Sequence, residues 1–205
     1  MTRPTRLYLA SRSPRRQELL RQIGVEFEEL RLRESASRRS DVVERPKARE
    51  PALAYVQRIS RTKAIAGWEC MLLRQLPEKP VLAADTEVVL DGKVLGKPAD
   101  DAHAARMLAS LSGRMHDVAT AVAVHDGEET RTALNVSQVS FREHAAEEIE
   151  RYVASGEPFD KAGGYAIQGR AAMFIRRIEG SYSAVMGLPL YETADILRQM
   201  GYPVL

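Results

Sequence analysis

Four short stretches hold residue types that could do chemistry. The first is Ser11-Arg12-Ser13-Pro14-Arg15-Arg16. Ser13 reads as a helix N-cap and Pro14 as the first helical residue, which puts Arg15 and Arg16 in the first turn. A helix N-terminus carries partial positive charge and free N–H groups, so each arginine there costs roughly 0.3–1 kcal/mol. A bound anion reverses that sign. Phosphate would receive N–H groups, the helix end and two guanidinium forks together. Two readings stay open, a phosphate site and a plain helix start with solvated arginines.

The second stretch is Ala84-Asp85-Thr86-Glu87, inside the apolar run Val81–Leu90. Both faces of that run are mostly apolar, as in a central buried strand. An ionised Asp85 there costs several kcal/mol unless a partner compensates it. A metal ion or an arginine would serve, and a structural salt bridge is the plainer alternative. Strand alternation puts Asp85 and Glu87 on one face, which would suit an oxygen-seeking cation such as Mg²⁺ or Mn²⁺. Glu87 by itself reads as a bystander.

The third stretch, Gly96-Lys97-Pro98, holds a lysine on a constrained backbone, able to act as a point charge for phosphate or simply to be solvated. The fourth is Asp160-Lys161-Ala162-Gly163-Gly164-Tyr165-Ala166-Ile167-Gln168-Gly169. Its glycines permit positive φ and close approach of backbone to a ligand, and Gln168 offers a donor and an acceptor to a base edge. An ordinary glycine-rich turn fits the same letters. Residues 180–189 read as another ligand-facing loop. His103, His116, His125 and His144 lack ligand spacing and read as surface or core histidines. No GxSxG, Walker A or GxGxxG pattern occurs, against a serine hydrolase, a P-loop NTPase and a classical dinucleotide enzyme.

The elements that must position these residues follow from the pattern. Residues 7–10 predict a short buried strand, and 15–24 a helix with Leu19, Leu20 and Ile23 at helical spacing and Gly24 as its stop. Residues 25–30 predict a second strand, and 31–49 a polar loop or insertion. Residues 51–68 predict a helix with Leu53, Val56, Ile59 and Ile65 partly inward. After the strand Val81–Leu90, Asp91-Gly92 turns the chain into residues 93–95. A helix over 102–111 and strands over 117–125 and 132–142, joined through Asp126-Gly127, come next. A helix over 145–154, a strand over 174–178 and a helix over 190–200 close the chain. Early alternation of strands and helices around a central hairpin predicts an α/β fold with a mixed twisted sheet and flanking helices.

Composition narrows the classes. The 205 residues suit one domain, residues 1–205, with two lobes around a central cleft, and 44% hydrophobic residues supply a sizeable core. A net charge of +2 does not mark a nucleic-acid binder. The arginines are nonetheless crowded early: Arg3, Arg6, Arg12, Arg15, Arg16 and Arg21 have only Glu18 among them. A local positive field suits a polyanionic small molecule. A single cysteine, Cys70, excludes an intrachain disulfide and reads as a small buried group. No stretch approaches a signal-peptide core or a membrane span, so a soluble cytoplasmic protein is expected.

Together these pieces resemble the Maf family of nucleotide pyrophosphatases. Residues 7–16, Ala84-Asp85-Thr86, Gly96-Lys97-Pro98, residues 160–169 and Val185-Met186-Gly187-Leu188-Pro189 appear in that family's order and span nearly the whole chain. The resemblance implies a nucleoside triphosphate substrate, a divalent metal cofactor (Mg²⁺ or Mn²⁺), a two-lobed α/β fold and a homodimer. It implies Asp85 as catalytic proton acceptor, Ser11, Arg15, Arg16, Lys63 and Lys97 as the phosphate-facing set, and Glu44 as a second acidic residue assisting metal or water. Arg15, Thr86 and Gln168 match positions that distinguish substrate branches. Tyr165-Ala166-Ile167-Gln168-Gly169 followed by Gly180-Ser181-Tyr182 resembles the branch acting on dTTP and UTP, with modified pyrimidine nucleotides also in scope. A 7-methyl-GTP enzyme and a non-catalytic, nucleotide-sensing regulator of septum formation are the alternatives. Three departures are present: a long segment before Glu44, Ser183 where histidine is common, and Arg12 where a small residue is frequent.

Overall fold

The computed structural model describes residues 6–33 and 41–204. Part of the polar loop read over 31–49 therefore lies outside the described residues, as does Arg3. Among the described residues, seven strands form one mixed sheet in the order β2-β1-β3-β5-β6-β7, with β4 paired to β3 off that path. They are β1 Arg6–Leu9, β2 Glu26–Glu29, β3 Val81–Leu90, β4 Lys93–Val94, β5 Met115–His125, β6 Thr130–Phe141 and β7 Ile175–Glu179. β1 runs parallel to β2 and β3, while β3–β4 and β6–β7 are antiparallel. The helices are α1 Pro14–Gln22, α2 Ala52–Leu73, α3 Asp101–Leu111, α4 Ala146–Val153, α5 Tyr182–Met186 and α6 Leu190–Gln199. Two 3₁₀ turns, Ala162–Gly164 and Arg170–Phe174, precede β7.

The chain divides into two compact units. Unit 1 comprises Met1–Asp85, Thr120–Asn135 and Gly187–Leu205; unit 2 comprises Thr86–Ala119 and Val136–Met186. Unit 1 has a core that includes Tyr8, Ala10, Leu30, Ala64, Met71, Val81, Ala83 and Ala123. Unit 2 packs Val88, Leu108, Leu111, Val118, Val139, Phe141, Tyr165 and Phe174 together. Each such large apolar side chain contributes about 1.5–3 kcal/mol by leaving water.

Beyond shifts of one or two residues at element ends, sequence and structure differ as follows. Ser13 is the N-cap residue of α1, but its side chain makes no cap bond; instead its N–H donates to Ser11 Oγ at 3.2 Å. α2 does not stop at Trp68 but runs to Leu73. Cys70 and Met71 are buried, so tertiary packing carries the helix on until Gln75 turns it at φ 52°. Leu53, read as inward, is 39% exposed, because the buried stripe of α2 passes through Val56, Ile59, Ser60, Gly67 and Cys70. Finally, residues 180–189 are not all loop: α5 occupies part of them.

Gly67 also sets how closely α2 lies to the sheet. A Cβ there would sit 2.6 Å from Val81 Cγ1 and 3.2 Å from Ala10 Cβ. No helix of the described residues is long and apolar enough to cross a membrane.

Candidate functional site

The site residues fall into two groups, one in each unit. In unit 1, Asp85 ends the first of two buried stretches of β3 and is 6% exposed. Lys63 projects from the core-facing stripe of α2, four residues after Ile59 and four before Gly67. Its ammonium donates to Asp85 Oδ1 at 2.8 Å and lies 3.1 Å from Glu44 Oε1. Asp85 Oδ2 is buried and has no hydrogen-bond partner among the described residues. Of the compensators the sequence allows for Asp85, a metal ion, an arginine or a structural salt bridge, the one present is a salt bridge, and its cation is a lysine.

Glu44 stands in a segment with no helix or strand, held at both ends. Asp41 accepts from the Arg33 backbone N–H at 2.7 Å and from its Nε at 2.9 Å. Glu50 accepts from Arg58 Nε at 2.6 Å and Nη2 at 2.7 Å. Arg58 thereby pulls the Glu50 carboxyl down to about 2, and its Nη2 also donates to the Arg45 carbonyl at 3.0 Å.

Arg16, in the first turn of α1, donates from Nε to the Gly187 carbonyl at 2.8 Å and from Nη1 to Ser11 Oγ at 3.2 Å. Burial pushes the guanidinium pKa down, while the charges of Asp85 and Glu44 pull it back up. Both carboxylates are therefore near enough for Arg16 to feel them. Arg15 is half-buried, with no side-chain partner among the described residues.

Unit 2 holds Thr86, Lys97 and Gln168 on short, fixed backbone. Thr86 is half-buried on β3. Asp91 and Gly92, at φ 51° and 74°, turn the chain tightly into β4. The Gly96 carbonyl then accepts from the Gly163 N–H at 2.8 Å, and the Asp100 side chain caps α3 by accepting from the His103 N–H at 2.7 Å. Lys97 lies between these two anchors, exposed and with no ion-pair partner among the described residues.

The glycine-rich stretch is anchored along its length. A Cβ on Gly163 would sit 2.6 Å from Val88 Cγ2, so only glycine permits this approach to β3. Tyr165 is buried with its hydroxyl 2.8 Å from His116 Nε2. Burial lowers His116 to about 4 and raises the Tyr165 phenol, so both stay neutral near neutral pH. Gly169 lies against the Glu157 carboxylate, which accepts from the Arg170 N–H at 2.9 Å. Gln168 is the exposed residue between the buried run 163–167 and this clamp.

Could these residues hold a cation? No group of three or more metal-ligating side chains occurs among the described residues, so a closed cage is not on offer. Asp85 Oδ2, lacking a partner, and Glu44, within one ammonium's reach of Asp85, fit a different ion. That ion takes one or two carboxylates and completes its shell with water and phosphate oxygens, as Mg²⁺ does. The donor set thus fits a divalent, oxygen-seeking metal arriving with a polyphosphate.

Several positioning groups escaped the sequence reading. The Gly187 carbonyl steering Arg16, the Arg58–Glu50 clamp, the His116–Tyr165 bond and the Glu157 clamp each join residues far enough apart in the chain that no local pattern records the pairing.

A buried carboxylate with a lysine and an arginine beside it on an α/β sheet makes a charge cluster suited to phosphate chemistry. The chain belongs to the Maf family: a family profile described as Maf-like protein matches residues 6–200. Similar curated proteins include the dTTP/UTP pyrophosphatase of Aromatoleum aromaticum, 54% identical over 200 residues and covering 97% of each chain. Those of Nitrosomonas europaea and Nitrosospira multiformis, with the same name, are 54% and 55% identical. The former covers 97% of this chain and 96% of its own, the latter 95% and 94%.

Proposed function

We propose that this chain is a dTTP/UTP pyrophosphatase, hydrolysing either nucleotide to the monophosphate and pyrophosphate. The observation that carries the chemistry is Asp85: a buried carboxylate with one oxygen on Lys63 and the other without a partner. The substrates come from the relatives' names, shared over nearly the full chain at 54–55% identity.

In this reading Asp85 takes a proton at Oδ2 from the water that attacks between the α and β phosphorus atoms. Ser11, Arg15, Arg16, Lys63 and Lys97 bind and orient the triphosphate, and fixed cations offset the charge that builds on its oxygens in the transition state. Thr86 and Gln168, together with Arg15, discriminate among bases. Asp85 and Glu44 would hold a divalent metal, which when bound polarises phosphate oxygens and lowers the cost of charge build-up. A cytoplasmic setting and a homodimer belong to the same reading, the latter on the family resemblance alone.

The test is pyrophosphate release from a panel of canonical and modified nucleoside triphosphates, with and without Mg²⁺ or Mn²⁺. Metal-dependent, equimolar pyrophosphate and monophosphate from dTTP and UTP is the expected outcome. Release of orthophosphate instead, or turnover confined to 7-methyl-GTP, would overturn it.

A further inference from the structure

The unit 1 cluster is balanced in charge before any ligand arrives. Asp85 and Glu44 share the Lys63 ammonium at 2.8 and 3.1 Å, and Arg16 lies within the field of both carboxylates. Two anions and two cations leave no net formal charge. A divalent ion approaching such a cluster alone gains little, because each carboxylate is already neutralised and Lys63 and Arg16 repel the newcomer. A polyphosphate changes this. It offers Lys63 and Arg16 oxygens of its own and frees carboxylate capacity for the metal. Asp85 Oδ2, buried and without a partner among the described residues, is the coordination position already waiting.

We propose that Lys63 is a resident counter-cation for Asp85 and Glu44, a positioning residue that keeps the divalent metal out until the nucleotide's phosphates draw the ammonium away. Metal and triphosphate would then bind with strong positive coupling, and metal alone would bind weakly. The inference rests on the metal-dependent reading above. It goes beyond that reading by giving Lys63 a task in the nucleotide-free protein.

The probe is Mn²⁺ alone, titrated at pH 8 and followed by calorimetry and by loss of the free-ion spin-resonance signal. Three forms of the full chain are compared: wild type, Lys63→Met and Lys63→Arg. Removing one unit charge from beside a divalent site should tighten Mn²⁺ binding on the order of tenfold in Lys63→Met, even with partial solvent screening. Lys63→Arg, which keeps the charge, should stay as weak as wild type. Equal Mn²⁺ affinity in wild type and Lys63→Met, or equal tightening in both variants, would overturn the proposal.

If Lys63→Met fails to fold, the unmodified protein still decides. Mn²⁺ alone should leave its melting temperature nearly unchanged, and Mn²⁺ with a non-hydrolysable dTTP analogue should raise it beyond the analogue by itself. Stabilisation by Mn²⁺ alone equal to that with both would overturn the proposal. Because Mn²⁺ binding is read without turnover, these outcomes separate from a failure of the nucleotide assay.

Discussion

Near their candidate residues the two units treat buried polarity differently. Unit 1 buries charge: Asp85, Lys63 and Arg16 come from β3, α2 and α1 and compensate one another through side chains. Unit 2 buries neutral groups. His116 and Tyr165 pair inside a ring cluster, with His116 4.9 Å and Tyr165 4.8 Å from Phe141 between ring centroids. Its exposed candidates, Lys97 and Gln168, ride on backbone tied by backbone hydrogen bonds and close glycine contacts. The difference is instructive. Charges compensated through side chains can be re-paired by a ligand that brings charge of its own. A neutral pair among aromatic rings gains nothing by rearranging, so it serves as scaffold.

The largest expected effect breaks the charged half of this contrast. Asp85→Asn keeps the shape and leaves Lys63 beside Glu44, so the protein should fold, yet turnover of dTTP should fall about a thousandfold. Pyrophosphate release by the purified variant checks this, and activity within tenfold of wild type would remove Asp85 as the proton acceptor.

The neutral half has its own pH signature. His116 titrates near 4 in the folded chain and near 6.5 when unfolded. Its contribution is fully present above about 6.5 and is lost as pH falls toward 4, because the unfolded chain then binds the extra proton. The loss amounts to about 3 kcal/mol at most. Urea unfolding of wild type and His116→Gln across that window should show the wild type losing more stability by that margin. His144, also lowered by burial, is common to both and cancels. Parallel curves would mean that His116 is not held neutral.

The smallest effect sharpens the contrast from the exposed side. Lys97→Ala should raise KM for dTTP about tenfold with kcat changed less, as expected for a point charge that grips phosphate in ground and transition states alike. Steady-state kinetics decide it, and an unchanged KM would take Lys97 out of the phosphate set.

Much of this arrangement was legible in the sequence, and the exceptions have a common cause. The boundaries of β3 follow directly from a mostly apolar run closed by Asp91-Gly92. α1 follows from Pro14 at its start and Gly24 at its stop. Asp85 stood out because a carboxylate inside that run demands a partner. What could not be read was which partner. Lys63 lies 22 positions away on a helix whose periodicity leaves several residues able to face the strand. The helix expected to end at Trp68 runs on to Leu73 because Cys70 and Met71 are buried, which is a matter of tertiary packing. α5 was missed because five residues are too few for a helical period to show. Tertiary contact decides each of these, and contact leaves only indirect marks on a single chain.

Gly67 matters beyond packing. A lysine side chain has a fixed reach, so the spacing between α2 and β3 acts as the ruler that decides whether Lys63 can touch Asp85 at all. One turn along the same helix, the absence of a single methyl group sets that spacing. Charge geometry at the site is thus written partly in a residue that bears no charge.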